Sequence, residues 1–196
     1  MIIFPDPPRF SEQHIGRRLA QIASSSLSGV SGQLAGVDVA RLSFTAPHQI
    51  WSSNLNAILA NRLLANALLI SWRYLLCDGE LGVGEFEVIP NSQDPSMPFV
   101  ALHAGSASKL TIEAISFAES LPEITSETYE ARFLIVPAVG FTALWLHAAN
   151  TDIIIPVTGG GDDLSSERVF TEIEVTRALI PRAIAANSIV GVGPRP

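Results

Sequence analysis

The sequence predicts an α+β fold in two layers, a mainly antiparallel sheet with helices packed on one face. Two apolar runs flank Asp78-Gly79 and read as a tight hairpin. Three strand-like segments across 128–157 are joined by short turns, as antiparallel neighbours are. Amphipathic stretches with capping residues supply the helical layer.

Taken in order, residues 1–10 hold Pro5, Pro7 and Pro8 and read as an extended arm. Ser11 caps a short helix over 12–23, with Ile15, Leu19, Ile22 and Ala23 on one stripe. Residues 24–36 are rich in Ser and Gly and read as a flexible connector. Alternation across 37–45 predicts a strand. Ser52, Ser53 and Asn54 offer N-caps for a helix over 54–66, where Leu55, Ile58, Leu59 and Leu63 follow helical spacing.

For the hairpin, a two-residue Asp78-Gly79 loop pairs Cys77 with Glu80. Trp72 then falls opposite Glu85, Ile70 opposite Glu87 and Tyr74 opposite Val83, so one face mixes aromatics with carboxylates. A strand over 99–103 leads through a Gly/Ser turn into a helix over 108–120, which Leu121-Pro122 ends. Strands follow at 128–136, 141–148 and 153–157, then a Gly-rich acidic loop over 158–166. Thr171 and Glu174 form a capping box for a helix over 172–187, in which Pro181 introduces a kink. The organisation expected is an arm, short helix and connector over 1–36, a single α+β domain over 37–187, and a loose tail over 188–196.

Charged residues are 16% of the chain, against about 25% in ordinary domains. A surface poor in charge tolerates burial against another protein, because few ions must be desolvated. Net charge is −7, and Lys109 is the only lysine among twelve basic residues. The arginines are scattered, so no basic stripe exists to release counterions from a nucleic acid. The longest apolar stretch, 55–76, is interrupted by Asn56, Asn61, Arg62, Asn66 and Arg73, which argues against a membrane span. One cysteine, Cys77, excludes an intrachain disulfide and a Cys-based zinc site, and suits a cytoplasmic, reducing compartment.

Several constellations bear on chemistry. No two of His14, His48, His103 and His147 have the i, i+4 spacing of a helical metal site. His103 and His147 each end a predicted strand, where Asp152 or Asp162 would complete a metal or hydrolytic site if the strands were neighbours. Residues 103–109 pass from strand to helix through Gly105 and Ser106 to Lys109. That turn is a candidate anion site (Gly105, Ser106, Lys109) or, with His103 and His147, a Ser/His hydrolase-like site; its plain reading is a helix cap. Glu85 and Glu87 share a strand face, as paired glycosidase acids do, and as solubilising edge residues do. Gly159-Gly160-Gly161-Asp162-Asp163 reads as a mobile connector rather than a cation loop. Cys77, beside Asp78, lacks the positive surroundings of a reactive thiol. Arg73 and Arg132 read as partners for Glu85, Glu87 or Glu130 across a sheet.

These observations predict a non-catalytic subunit of a homo- or hetero-oligomeric protein assembly, without cofactor or metal, using Trp72, Tyr74, Phe4 and Pro7 as interface residues. The alternative is a small-molecule or anion-binding enzyme built on the turn at 103–109.

Overall fold

The computed structural model of the chain describes residues 1–8, 11–24, 38–89, 98–104 and 107–190. Among the described residues there are eight strands and four α-helices, the α+β composition expected. In chain order they are β1 (Ile2–Ile3), α1 (Ser11–Ser24), β2 (Leu42–Ser52), α2 (Leu55–Leu59), β3 (Leu68–Asp78), β4 (Leu81–Ile89), β5 (Phe99–Ala104), α3 (Ala107–Glu119), β6 (Tyr129–Val136), β7 (Phe141–His147), β8 (Asp152–Thr158) and α4 (Glu172–Val190). No helix among these residues is long and apolar enough to cross a membrane. The chain forms two compact units: Met1–Ile3, Ile50–Leu69 and Ala114–Pro196 in the first, Phe4–Gln49 and Ile70–Glu113 in the second.

In the first unit β6, β7 and β8 pair antiparallel, with Arg132 opposite Trp145, and His147 opposite both Glu130 and Asp152. Gly140 makes the β6–β7 turn at φ 61°, a left-handed conformation that glycine adopts without steric cost. The arm contributes directly: β1 runs parallel to β6, and the Met1 amino group donates to the carbonyls of Ile124 and Glu127. The capping box forms as expected. Glu174 Oε2 accepts from the Thr171 backbone N–H at 2.8 Å, and Thr171 Oγ1 accepts from that of Glu174 at 3.3 Å. Val175, Leu179 and Ala183 of α4 then pack on Leu134, Val136, Phe141, Ala143, Trp145 and Ile154.

The predicted helix over 54–66 is much shorter. Asn54 Oδ1 caps it, accepting from the Ala57 N–H at 3.0 Å, but α2 ends at Leu59 because Asn61 turns to φ 54°. Turns carry Leu63 and Leu64 into the same core, and the Leu64 N–H donates to Glu172 Oε1 at 2.9 Å.

In the second unit β3, β4 and β5 form an antiparallel meander. The hairpin register differs from the one expected. Asp78 pairs with Leu81, so the loop is Gly79-Glu80, with positive φ at Gly79 alone. That pattern suits a type II′ turn, which needs glycine first. The pairing then jumps from Cys77–Gly82 to Leu76–Gly84, leaving Val83 as a bulge. One extra residue inverts the faces beyond it. Trp72 lies opposite Val88 and Tyr74 opposite Phe86, while Arg73 meets Glu87 and Leu75 meets Glu85.

Aromatics and carboxylates are therefore on opposite faces, not on one. Trp72 and Tyr74, expected at an interface, are 7% and 1% exposed and pack with Phe86, Val88 and the α1 residues Ile15 and Ile22. The opposite face meets α3: a Cβ on Gly82 would lie 2.7 Å from Ile112 Cδ1. The strands of this unit thus carry α1 on one face and α3 on the other. The strand expected over 37–45 begins later, at Leu42, after a 3-10 turn at Val39–Arg41, and runs to Ser52 through Pro47.

Candidate functional site

Two polar clusters stand out, one in each unit. In the second unit, β-strand alternation brings Ser71, Arg73, Glu85 and Glu87 to the face under α3. Arg73 Nη1 lies 3.1 Å from Glu85 Oε2, and its Nη2 lies 3.4 Å from Glu87 Oε2. Glu85 is buried and also accepts from Thr111 Oγ1 of α3 at 3.3 Å. Glu87 accepts from Ser71 Oγ at 2.5 Å and contacts His103 Nε2 at 3.0 Å. Burial alone would raise the Glu87 carboxyl. The Ser71 hydroxyl, Arg73 and His103 together outweigh it and hold the group below the ordinary carboxylate range. Both carboxylates and both terminal nitrogens of Arg73 are engaged, so this cluster ties sheet to helix.

The cluster of the first unit is less self-contained. Residues 130, 132, 145, 147 and 152 share one sheet face through the registers of β6, β7 and β8. The Arg132 guanidinium carbon sits 4.8 Å from the ring centroid of Trp51 and 4.8 Å from that of Trp145. Its Nε donates to Glu130 Oε1 at 2.7 Å. Asp152 Oδ1 accepts from Trp145 Nε1 at 2.7 Å and lies 2.8 Å from His147 Nδ1. An ionised carboxylate there favours a proton on Nδ1, which makes Nε2 of the neutral imidazole an acceptor. Among the described residues, the terminal nitrogens of Arg132 and Nε2 of His147 have no hydrogen-bond partner. Arg132 is largely buried, whereas His147 and Asp152 are about one-third exposed.

The residues singled out in the sequence separate accordingly. His103 lies in the second unit on Glu87 and His147 in the first on Asp152, so each histidine has its own carboxylate. Gly105 and Ser106 lie outside the described residues, and with them the nucleophile and most of the anion turn. Lys109 is exposed on α3, 3.7 Å from Glu113. Phe4 and Pro7 are half-buried. Glu85 and Glu87 are bound by Arg73 rather than presented as a solubilising edge or a glycosidase pair. Arg132 pairs with Glu130 on its own strand.

Asp162 and Asp163 stay exposed, yet their loop is anchored: Arg182 donates to the carbonyls of Gly159 and Val139. Cys77 is buried, and burial pushes its thiol pKa up. Among the described residues no three His, Cys, Asp or Glu side chains gather as a metal-binding group.

Sequence reasoning missed Trp51, Ser71 and Thr111. It named Asp152 for His147 and the short turn between their strands, but not the hydrogen bond that Asp152 also accepts from Trp145. The spacing Trp145-x-His147 followed by Asp152 across a hairpin was the available signal, because antiparallel pairing sets residues 147 and 152 opposite each other. No protein-family model, curated protein or solved structure matches this chain.

Proposed function

We propose that the chain is a non-catalytic interaction subunit of a homo- or hetero-oligomeric protein assembly, and that α4 presents the contact surface. One observation carries this reading. Ile173 and Ile184 are 70% and 54% exposed and lie eleven positions apart, about three helical turns. They therefore lie on one stripe, with Arg177 and the half-buried Ile180 between them. Burying an isoleucine side chain contributes about 1.5–3 kcal/mol, so covering this stripe is favourable. The scarcity of ions favours the same outcome, since little charge has to lose water. A run at the start of β3, Leu68, Leu69 and Ile70, is also exposed and apolar.

The preferred partner is a polypeptide. The net charge of −7 and the scattered arginines oppose nucleic acid, and the single buried thiol suits the cytoplasm. Light scattering on the chromatographed protein, with identification of co-purifying chains, tests the reading. The expected result is an assembly that Ile173→Glu with Ile184→Glu dissociates without changing the circular dichroism. A wild-type chain that is monomeric at every concentration and carries no second polypeptide refutes it. So does an assembly indifferent to both substitutions.

A further inference from the structure

The Arg132 cluster shares no residue with the α4 stripe and has the make-up of a ligand site. Its guanidinium packs against the edge-to-face pair Trp51 and Trp145 and is oriented from behind by Glu130, while its two terminal nitrogens have no partner among the described residues. Those nitrogens form a planar fork that matches the two oxygens of a carboxylate. Orientation by the indoles means that little side-chain freedom remains to be lost on binding.

The charge around the fork selects among anions. Glu130 and Asp152 give two negative charges against one on Arg132, so a dianion such as phosphate meets about twice the net repulsion that a monocarboxylate does. His147 adds a second requirement. With Nδ1 turned to Asp152, its Nε2 accepts and needs a donor from the ligand. Arg132 and His147 occupy diagonal positions on neighbouring strands, a separation of about 7–8 Å at their Cα atoms and somewhat less at Cβ. Both also pack against the ring of Trp145. A small molecule can therefore reach both.

We propose that this end of the β6–β7–β8 face binds a hydroxylated monocarboxylate, its carboxylate on the terminal nitrogens of Arg132 and a hydroxyl donating to His147 Nε2. The half-buried Trp51 supplies an apolar wall beside it.

The indole N–H resonances of the three tryptophans provide the readout, with Trp51→Phe and Trp72→Phe assigning two of them and the third following by elimination. Lactate and gluconate are titrated in turn, with acetate, glucose and phosphate as controls. The expected result is a saturable shift of the Trp145 and Trp51 signals with lactate or gluconate, while the Trp72 signal from the second unit stays in place. Acetate should bind more weakly, and glucose and phosphate should cause no saturable shift. Arg132→Gln should weaken binding at least tenfold, about the effect of losing a hydrogen bond to a charged group. His147→Phe should abolish the preference for lactate over acetate. The assignment is overturned if neither acid gives a saturable shift, if glucose or phosphate matches them, or if the lactate preference survives in His147→Phe. The last criterion holds even should Arg132→Gln fail to fold.

Discussion

Replacing Arg73 by Met tests what the buried cluster of the second unit contributes. Arg73 faces two carboxylates at 3.1 and 3.4 Å, and the Glu85 side chain is only 3% exposed. At an effective dielectric constant of about 20, unit charges about 4 Å apart attract by about 4 kcal/mol. Desolvation of the three ions offsets much of that gain, so the net worth of the cluster is small. Removing only the cation is different, because Glu85 is left charged beneath α3 with Thr111 as its one remaining partner among the described residues. Loss of one partner from a buried pair costs about 3–5 kcal/mol, a large share of a total stability of about 5–15 kcal/mol. In a chain of this length the corresponding fall in Tm is about 6–20 °C. Arg73→Met with Glu85→Leu should recover at least about 2 kcal/mol of the loss, since the most deeply buried carboxylate is removed as well and Glu87 keeps Ser71 and His103. Urea denaturation followed by circular dichroism measures both variants. A single variant within about 0.5 kcal/mol of wild type, the ordinary range of surface changes, would refute the reasoning. A double variant less stable than the single one would refute it equally.

Glu87 gives a pH signature. Its carboxyl is held below the unfolded value of about 4.3, so it stabilises the fold above that pH, and the contribution is lost as pH falls through the lower folded value. Ser71→Ala removes one of the groups that lower it. The stability gap between wild type and Ser71→Ala should narrow from pH 7 to pH 3, and urea midpoints showing a constant gap would contradict this. Gly160→Ala places a Cβ 2.0 Å from the Leu164 carbonyl oxygen, where only backbone movement relieves the overlap. Its cost should exceed about 1 kcal/mol, visible as a lowered Tm; an unchanged Tm would show that the loop yields freely.

The parts of this fold that local chemistry decides were legible. Thr171 and Glu174 announce the start of α4 because a capping box is complete within four residues. Short turns at Gly140 and Thr151 likewise delimit β6, β7 and β8. What failed was decided by single residues whose effect is not local. Val83 is one extra residue in β4, and it exchanges the faces of everything beyond it, carrying Trp72 and Tyr74 from a supposed interface into the core. Gly82 and Gly84 beside it were the only hint, as glycine within a strand often marks a bulge. Asn61 stopped a helix whose apolar spacing continued through Leu63, and both readings bury Leu63 equally well. Burial of Ile15 and Ile22 could not be foreseen either, because a stripe on an isolated helix does not name the surface that covers it.

The two arginine clusters show why residue types alone did not locate a site. Arg73 and Arg132 both lie in apolar strands beside glutamates, and the sequence gives no ground for ranking them. Their difference is which nitrogens are engaged. Arg73 directs its two terminal nitrogens to Glu85 and Glu87, and those carboxylates have further hydroxyl partners in Thr111 and Ser71. A ligand there would have to break bonds already made, at a cost of the order of those bonds. Arg132 uses Nε for Glu130 at 2.7 Å, the edge opposite its fork, and otherwise packs on two indoles rather than on acceptors. Aromatic contact orients a guanidinium without consuming its hydrogen-bond donors. The strand partner of Glu130, His147, is likewise fixed by Asp152 through one ring nitrogen and leaves the other unengaged among the described residues. A cation closed by two acids braces a fold, whereas one packed on aromatic rings keeps its binding edge available.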